Sequence, residues 1–171
     1  MKTITLLTAP KIIGLSLILF TLTIPVVFAA SPHYIKGPSI KTNSNLSITI
    51  SGSIAGLAAG TTTITASDTV GGTATWQCVN HGGNSPAPKQ LAVAVTSASL
   101  NADPHNGRIN FALTLGPPAA ASISDVCGPG NTQNWSLALL SVTYAGVSLQ
   151  VWQNALLLGA LSVSFGDITV P

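Results

Sequence analysis

The feature that most constrains the fold of this chain is a two-residue hydrophobic alternation that recurs from about residue 46 to the C terminus. Leu46, Ile48 and Ile50 alternate with Ser and Thr, and Ile109 to Leu115 repeats the pattern. Such alternation is typical of strands that bury one face and expose the other. Beyond the first thirty residues we find no convincing helical period, so we expect the fold to be built from strands.

One alternating run is much longer than the others. From Thr61 to Val79 most apolar residues hold even positions, and Gly71-Gly72 within the run predicts a bulge or bend. A later segment, Leu156 to Phe165, is typical of a fully buried strand. Gly, Pro, Asn and Asp punctuate the runs as turns. About seven strands of this kind predict an all-β fold, a single antiparallel β-sandwich of immunoglobulin-like architecture.

Residues 1–29 have the features of a secretory signal peptide. Two early lysines precede the apolar run Ile12 to Ile24, and Val27-Phe28-Ala29 supplies a small-x-small cleavage site. We predict cleavage after Ala29 and a secreted or cell-surface location. The alternative is an uncleaved membrane anchor, because the 19 residues from Ile12 to Ala30 are near the lower limit for a span. Contact with a membrane is expected only in that case.

Beyond the leader the chain carries very little charge. Four bases are balanced by four aspartates, so the net charge of +2 comes from the two leader lysines. The bases are Lys36, Lys41, Lys89 and Arg108, and the acids are Asp68, Asp103, Asp125 and Asp167. Nucleic-acid binding needs clustered cations, which are absent here. We place the sandwich domain at residues 46–171, after an extended segment at 30–45, with a surface of Ser, Thr, Asn, Gln and Gly.

Cys78 and Cys127 are the only cysteines, and we predict a disulfide between them because the chain is bound for an oxidising compartment. Cys78 shares the inward parity of Trp76, which suits a bridge at one end of the core. The alternative is a metal site, because Cys78 and His81 have C-x-x-H spacing and Cys127 and His105 would complete a ligand set. We favour the disulfide and expect no metal and no cofactor.

Two segments have a distinctive sequence: SPHYIKGP at Ser31 to Pro38, and WQCVNHGGN at Trp76 to Asn84 with Pro86 after it. Together they resemble a group of uncharacterised secreted bacterial β-sandwich proteins. Members of that group have an N-terminal Ser-Pro-His-aromatic segment and two cysteines. The resemblance implies export, a β fold and a disulfide, and it implies no activity. A true immunoglobulin domain is not indicated, because no Trp lies between Cys78 and Cys127.

The ionisable residues form no recognisable catalytic pattern. The four aspartates fall in separate loops or bends, there is no Glu, and Gly-x-Ser-x-Gly does not occur. The stretch Asp103 to Gly107 predicts a tight turn, because Pro presets φ and Asn-Gly accepts positive φ; its His105 is a functional candidate. We therefore predict no catalytic residues and a protein that is not an enzyme.

Trp135 and Trp152 are the candidate ligand contacts, because both flank loops and flat aromatic rings stack on sugars, whereas Trp76 has core parity. Trp152 has the opposite parity to the core residues of its strand, Val147, Leu149 and Val151. It is therefore exposed unless a bulge at Ala145-Gly146 turns it inward or a loop covers it.

The expected function is that of a non-catalytic extracellular or cell-surface module. One class is a carbohydrate-binding or surface-binding module that uses Trp135 and Trp152. The other is a self-associating fibre or coat subunit, in which the extended segment Ser31 to Asn45 lies on a neighbour's sheet edge. The candidate partners are thus a glycan, a cell surface or another copy of the chain.

Overall fold

The computed structural model describes residues 31–83, 85–129 and 132–171, so the predicted signal peptide lies outside the described residues. These residues form ten strands, one short helix and two 3₁₀ turns. The strands are β1 (His33–Thr42), β2 (Ile48–Ala55), β3 (Thr62–Asp68), β4 (Gly72–Asn80), β5 (Lys89–Val93), β6 (Ser97–Ala102), β7 (Ile109–Leu115), β8 (Trp135–Gln153), β9 (Leu156–Leu157) and β10 (Val163–Val170). The helix α1 is Ile123–Cys127, and the 3₁₀ turns are Thr132–Asn134 and Gly159–Leu161.

Two antiparallel sheets pack face to face, which confirms the predicted all-β sandwich. The smaller sheet has the order β1-β2-β7, and the larger sheet contains the other seven strands. The alternation predicted from the sequence holds in β2 and β7, where every second side chain is buried. The core between the sheets includes Ile48, Ile50, Ile54, Ile64, Phe111, Leu115, Tyr144, Leu149 and Val151.

The central strand of the larger sheet is β8, which is 19 residues long. β4 pairs with its first half and β3 with its second half. β10 pairs with the middle of β8, which overlaps both the segment paired with β4 and the segment paired with β3. β3 and β4 therefore lie end to end along one side of β8, and β10 lies along the other side. The long alternating run in the sequence therefore forms two strands, β3 and β4, which are separated near Gly71-Gly72 as predicted. Breaks of this kind explain why the fold has more strands than the seven predicted.

The breaks in the larger sheet lie side by side, at Thr69–Gly71, at the β5–β6 junction and at Gly146 of β8. Aspartates satisfy the backbone there. The Asp68 carboxylate accepts the Thr96 N–H at 2.5 Å, and Asp167 accepts the Gly146 N–H at 2.8 Å. This row of bends divides the larger sheet into two halves. We call the half with β3, β6 and the C-terminal part of β8 the proximal half. We call the half with β4, β5 and the N-terminal part of β8 the distal half.

The two halves are covered by different parts of the chain. β7 of the smaller sheet packs against β3 and β6 of the proximal half, whereas α1 packs against β4 and β8 in the distal half. Cys78 of β4 and Cys127 of α1 form a disulfide with their Cα atoms 5.7 Å apart. This confirms the predicted bridge. Trp76 is buried in the distal half, as its parity predicted.

The extended N-terminal segment forms β1, an edge strand that pairs with β2 of the same chain. Its register shifts twice, between Tyr34 and Lys36 and between Lys36 and Ser39. The Tyr34 hydroxyl donates to the Leu161 carbonyl, which ties β1 to the 3₁₀ turn before β10. The segment that we considered as a donor to a neighbouring sheet is thus used within its own sandwich.

Two local expectations were wrong. Leu46 is not in a strand; it lies in the turn before β2 with φ of 63°. The predicted buried strand at Leu156 is instead the short β9, where Leu156 is 69% and Leu157 40% exposed. The apolar run there is part of a hairpin that projects from the end of the sheet. No helix within the described ranges is long and apolar enough to cross a membrane.

Candidate functional site

Trp152 lies on the outer face of the larger sheet and is half-buried. Its neighbours in the chain, Val151 and Gln153, are buried on the inner face. The buried side chains of β8 change from even to odd positions near Ala145-Gly146, and Val147, Leu149 and Val151 are then buried as predicted. Trp152 has an even position after this bulge, so it faces outward.

The ring of Trp152 lies in a shallow depression of about 450 Å³. Its other walls are uncharged residues of β3 and of the β8–β9 turn, namely Thr61, Thr63, Thr65, Asn154 and Ala155. Trp152 is paired with Thr63 of β3 on one side and with Leu157 of β9 on the other. We call this site the Trp152 depression. Its lining is aromatic, apolar and hydroxyl-bearing, with no ionisable group.

The backbone beneath the Trp152 depression is held firmly. The buried Gln153 side chain exchanges two hydrogen bonds with the Ala58 backbone, at 2.8 and 3.3 Å. The turn that follows has positive φ at both Asn154 and Ala155, 48° and 64°, which is the two-residue geometry suited to a tight hairpin. Trp152 is thus presented by a strand whose position is fixed from the inner side.

The polar surface around Trp152 forms three rows across β6, β3 and β8. The rows are Asn101–Thr63–Trp152, Ser99–Thr65–Gln150 and Ser97–Ser67–Ser148. Each row contains only uncharged side chains, and the Thr63 hydroxyl donates to Asn101 Oδ1 at 2.7 Å. This surface offers hydroxyl and amide groups in a flat array, with a single large aromatic ring at one end.

The second predicted contact, Trp135, lies elsewhere. It begins β8, where it pairs with Asn80, and it is half-buried on the inner side of the distal half. Trp152 is near the other end of the same strand, 17 positions further on, which is about 55 Å in a straight strand. The two tryptophans therefore lie at opposite ends and on opposite faces of the sheet. They do not form a common platform.

A second depression, of about 330 Å³, lies between β5 and the chain segment that covers the distal half. The edge of Trp76 contributes to it, together with the inward-facing side of β5 and Pro118. Asp125 is the ionisable residue in its lining, and the Lys89 ammonium donates to the Asp125 main-chain carbonyl.

The ionisable groups are dispersed. The described residues contain no cluster of three His, Cys, Asp or Glu side chains that would hold a metal ion. Two tyrosines have altered titration: burial raises the pKa of Tyr34, and burial together with the nearby Asp68 carboxylate raises the pKa of Tyr144 to about 12. The Tyr144 hydroxyl donates to the Leu46 carbonyl at 2.8 Å, so its proton is used structurally.

No protein-family model matches the chain, and no curated protein and no solved structure matches it. The functional argument therefore rests on the geometry of the sandwich and its surfaces.

Proposed function

We propose that the protein is a non-catalytic extracellular or cell-surface module that binds a neutral glycan at the Trp152 depression. The observation that supports this most directly is the half-exposed Trp152 ring on a rigid strand, set in a flat and uncharged hydroxyl surface. The apolar face of a pyranose stacks on an aromatic ring, and its hydroxyls need hydrogen-bonding groups around that ring. The site provides both.

The lining of the Trp152 depression also favours a neutral ligand. Thr61, Thr63, Thr65 and Asn154 supply hydroxyl and amide groups, and none of the lining residues carries a charge. Small-molecule sites usually combine an apolar surface with a few fixed polar groups. Here the depression is shallow and continues into the rows of β3 and β6, so it fits an extended chain of sugars better than an enclosed small molecule.

A glycan array followed by titration calorimetry tests this proposal on the mature protein. We expect binding to neutral oligosaccharides, and we expect Trp152→Ala to weaken it by about tenfold or more, the scale of a central aromatic contact. Trp135→Ala is the matched control, because it removes the other half-buried tryptophan at the far end of β8. Absence of any neutral glycan ligand, or equal affinity in Trp152→Ala and the unsubstituted protein, would contradict the proposal.

A second candidate function is self-association through β5, which would give a closed dimer and not a fibre, because a two-fold contact is satisfied by two copies. In the described structure β5 pairs only with β4, contains no proline and carries one charge, Lys89. β1, in contrast, has Pro38 and two register shifts, features that disfavour pairing with another chain. Antiparallel pairing of two β5 strands about Leu91 would place Lys89 opposite Val93 of the second copy, with no like-charge contact.

Sedimentation velocity over a range of protein concentrations separates the two functions. Self-association predicts a mass that rises with concentration and falls in Ala92→Lys, because the substitution adds two like charges at the symmetric contact. Ala112→Lys, an exposed alanine on β7, is the control. A monomer at all concentrations would exclude self-association and leave the glycan proposal intact.

A further inference from the structure

The turn between β6 and β7 carries the only arginine of the chain, Arg108. Asn106 and Gly107 form its tip with positive φ, 51° and 71°. His105 and Arg108 flank the tip and exchange both backbone hydrogen bonds, each at 3.0 Å. In an antiparallel ribbon such a pair projects both side chains to the same face. The imidazole and the guanidinium therefore emerge side by side.

A third donor lies on the same face. Asn110 is two residues after Arg108 in β7, and Ile109 between them is buried, so Arg108 and Asn110 share the exposed face. The Ser53 hydroxyl donates to Asn110 Oδ1 at 2.7 Å. This bond uses the amide oxygen, which leaves the amide NH₂ as the group available to a ligand.

These side chains border a shallow depression of about 510 Å³, whose lining is His105, Asn106, Arg108 and Asn110. No acidic residue lines it. The turn is fixed to the loop after β2, because the Leu57 N–H donates to the Gly107 carbonyl at 3.1 Å. A Cβ on Gly107 would meet the Leu57 carbonyl at 3.2 Å, so the two segments are in close contact. The donors are thus arranged on a constrained hairpin.

We propose that this depression, the Arg108 site, binds the carboxylate groups of an acidic polysaccharide. The planar guanidinium matches a carboxylate with two parallel hydrogen bonds, and the His105 imidazole and Asn110 amide add donors beside it. The adjoining outer face of β2 and β7 bears hydroxyls, with Thr49 and Thr114 hydrogen-bonded at 3.0 Å, and at its β1 edge Lys36 pairs with Ser53 and Lys41 with Thr49. Such a surface suits the hydroxyls of a sugar chain better than an acidic peptide.

The Arg108 site is independent of the Trp152 depression. It lies on the outer side of the smaller sheet, next to Ser53 of β2, whereas Trp152 lies on the outer side of the larger sheet. The two surfaces face in opposite directions across the sandwich. Loss of one binding activity is therefore expected to leave the other unchanged.

Calorimetric titration of the mature protein with a hexamer of galacturonic acid tests the site, with a neutral galactose hexamer as the reference ligand. We expect the acidic hexamer to bind, more weakly as salt is added, and Arg108→Gln to reduce its affinity about tenfold. Lys89→Gln is the control. It removes one positive charge from β5 of the larger sheet, away from the Arg108 site and from the outer face of β2 and β7.

Each outcome has a defined meaning. Equal losses in Arg108→Gln and Lys89→Gln would show general charge attraction and overturn the site. Equal binding of a hexa-aspartate peptide would overturn the assignment to a polysaccharide. Trp152→Ala is expected to bind the acidic hexamer with unchanged affinity, so failure of the glycan proposal at Trp152 is measured separately.

Discussion

Asp68 and Tyr144 have structural roles that their residue types alone do not predict. Asp68 is 1% exposed, and both its carboxylate and its main-chain N–H bond to Thr96 where the larger sheet bends. Buried carboxylates are costly unless they accept hydrogen bonds. Tyr144 lies close enough to Asp68 for the carboxylate to disfavour its ionisation. The fold therefore depends on a neutral phenol at this position.

Stability should fall at high pH because of Tyr144. Its pKa is about 12 in the folded state and 10.0 in an unperturbed tyrosine, so the folded protein holds the proton more tightly than the unfolded protein. The contribution of this pKa difference to the free energy of unfolding is complete below pH 10. It is lost as the pH rises from 10 towards 12, by up to about 1.4 kcal/mol per pH unit. Urea unfolding at several pH values measures this decline.

Tyr144→Phe is the test variant for this decline. It should be less stable at pH 8 by about 1 kcal/mol, through loss of the bond to the Leu46 carbonyl, and its stability should fall less steeply above pH 10. Tyr34→Phe serves as the comparison, since burial alone raises the pKa of Tyr34 and we expect this variant to flatten the slope less than Tyr144→Phe does. An unchanged slope in Tyr144→Phe would refute this assignment.

At the scale of strands, the alternation in the sequence was a good guide wherever a strand has one buried face. β7 begins and ends at the predicted residues, and Ile64, Ala66, Ala74, Trp76 and Cys78 are buried as parity required. Val70 has the same parity but is 76% exposed, because it lies in the bend between β3 and β4. It failed at Leu156 because a short apolar run does not distinguish a buried strand from an exposed hairpin. The Arg108 site was missed since Arg108 joins His105 only through the pairing across the turn.

The disulfide should matter most for the distal half of the larger sheet. Pro118 and Asp125, from the loop before α1 and from α1 itself, line the same depression as Trp76 there, and Cys127 at the end of α1 is bonded to Cys78. Closing 49 residues is worth about 4 kcal/mol on the loop-entropy model. We expect Cys78→Ala/Cys127→Ala to lose stability of that order and to increase the solvent exposure of Trp76.

Chemical denaturation measures the stability of the double variant, and mass spectrometry of the unsubstituted protein should show two protons fewer than the reduced chain. Tryptophan fluorescence reports on Trp76, with Trp135→Phe and Trp152→Phe in the background so that one ring remains. A double variant as stable as the parent, with Trp76 still buried, would show that α1 does not need the bridge.

At the scale of the whole molecule, the prediction is that the chain is exported and processed. This prediction rests on the two N-terminal lysines, the apolar run after them and the Val27-Phe28-Ala29 cleavage site. The disulfide is compatible with an oxidising location. Protein recovered outside the producing cell should have Ala30 as its first residue by N-terminal sequencing. An intact Met1 on that protein would favour the anchor instead.

The late position of β8 in the chain has a consequence for the order of folding. β4 and β3 pair with residues that follow them by 55 positions (Asn80 with Trp135) to 91 positions (Thr62 with Gln153). Before residue 135 is synthesised, neither strand has its central partner, and the larger sheet cannot assemble. Such distant pairing slows folding because loops must close before contacts stabilise them. The larger sheet of the nascent chain therefore stays incomplete until the last quarter of the chain appears, whereas all three strands of the smaller sheet are present by residue 115.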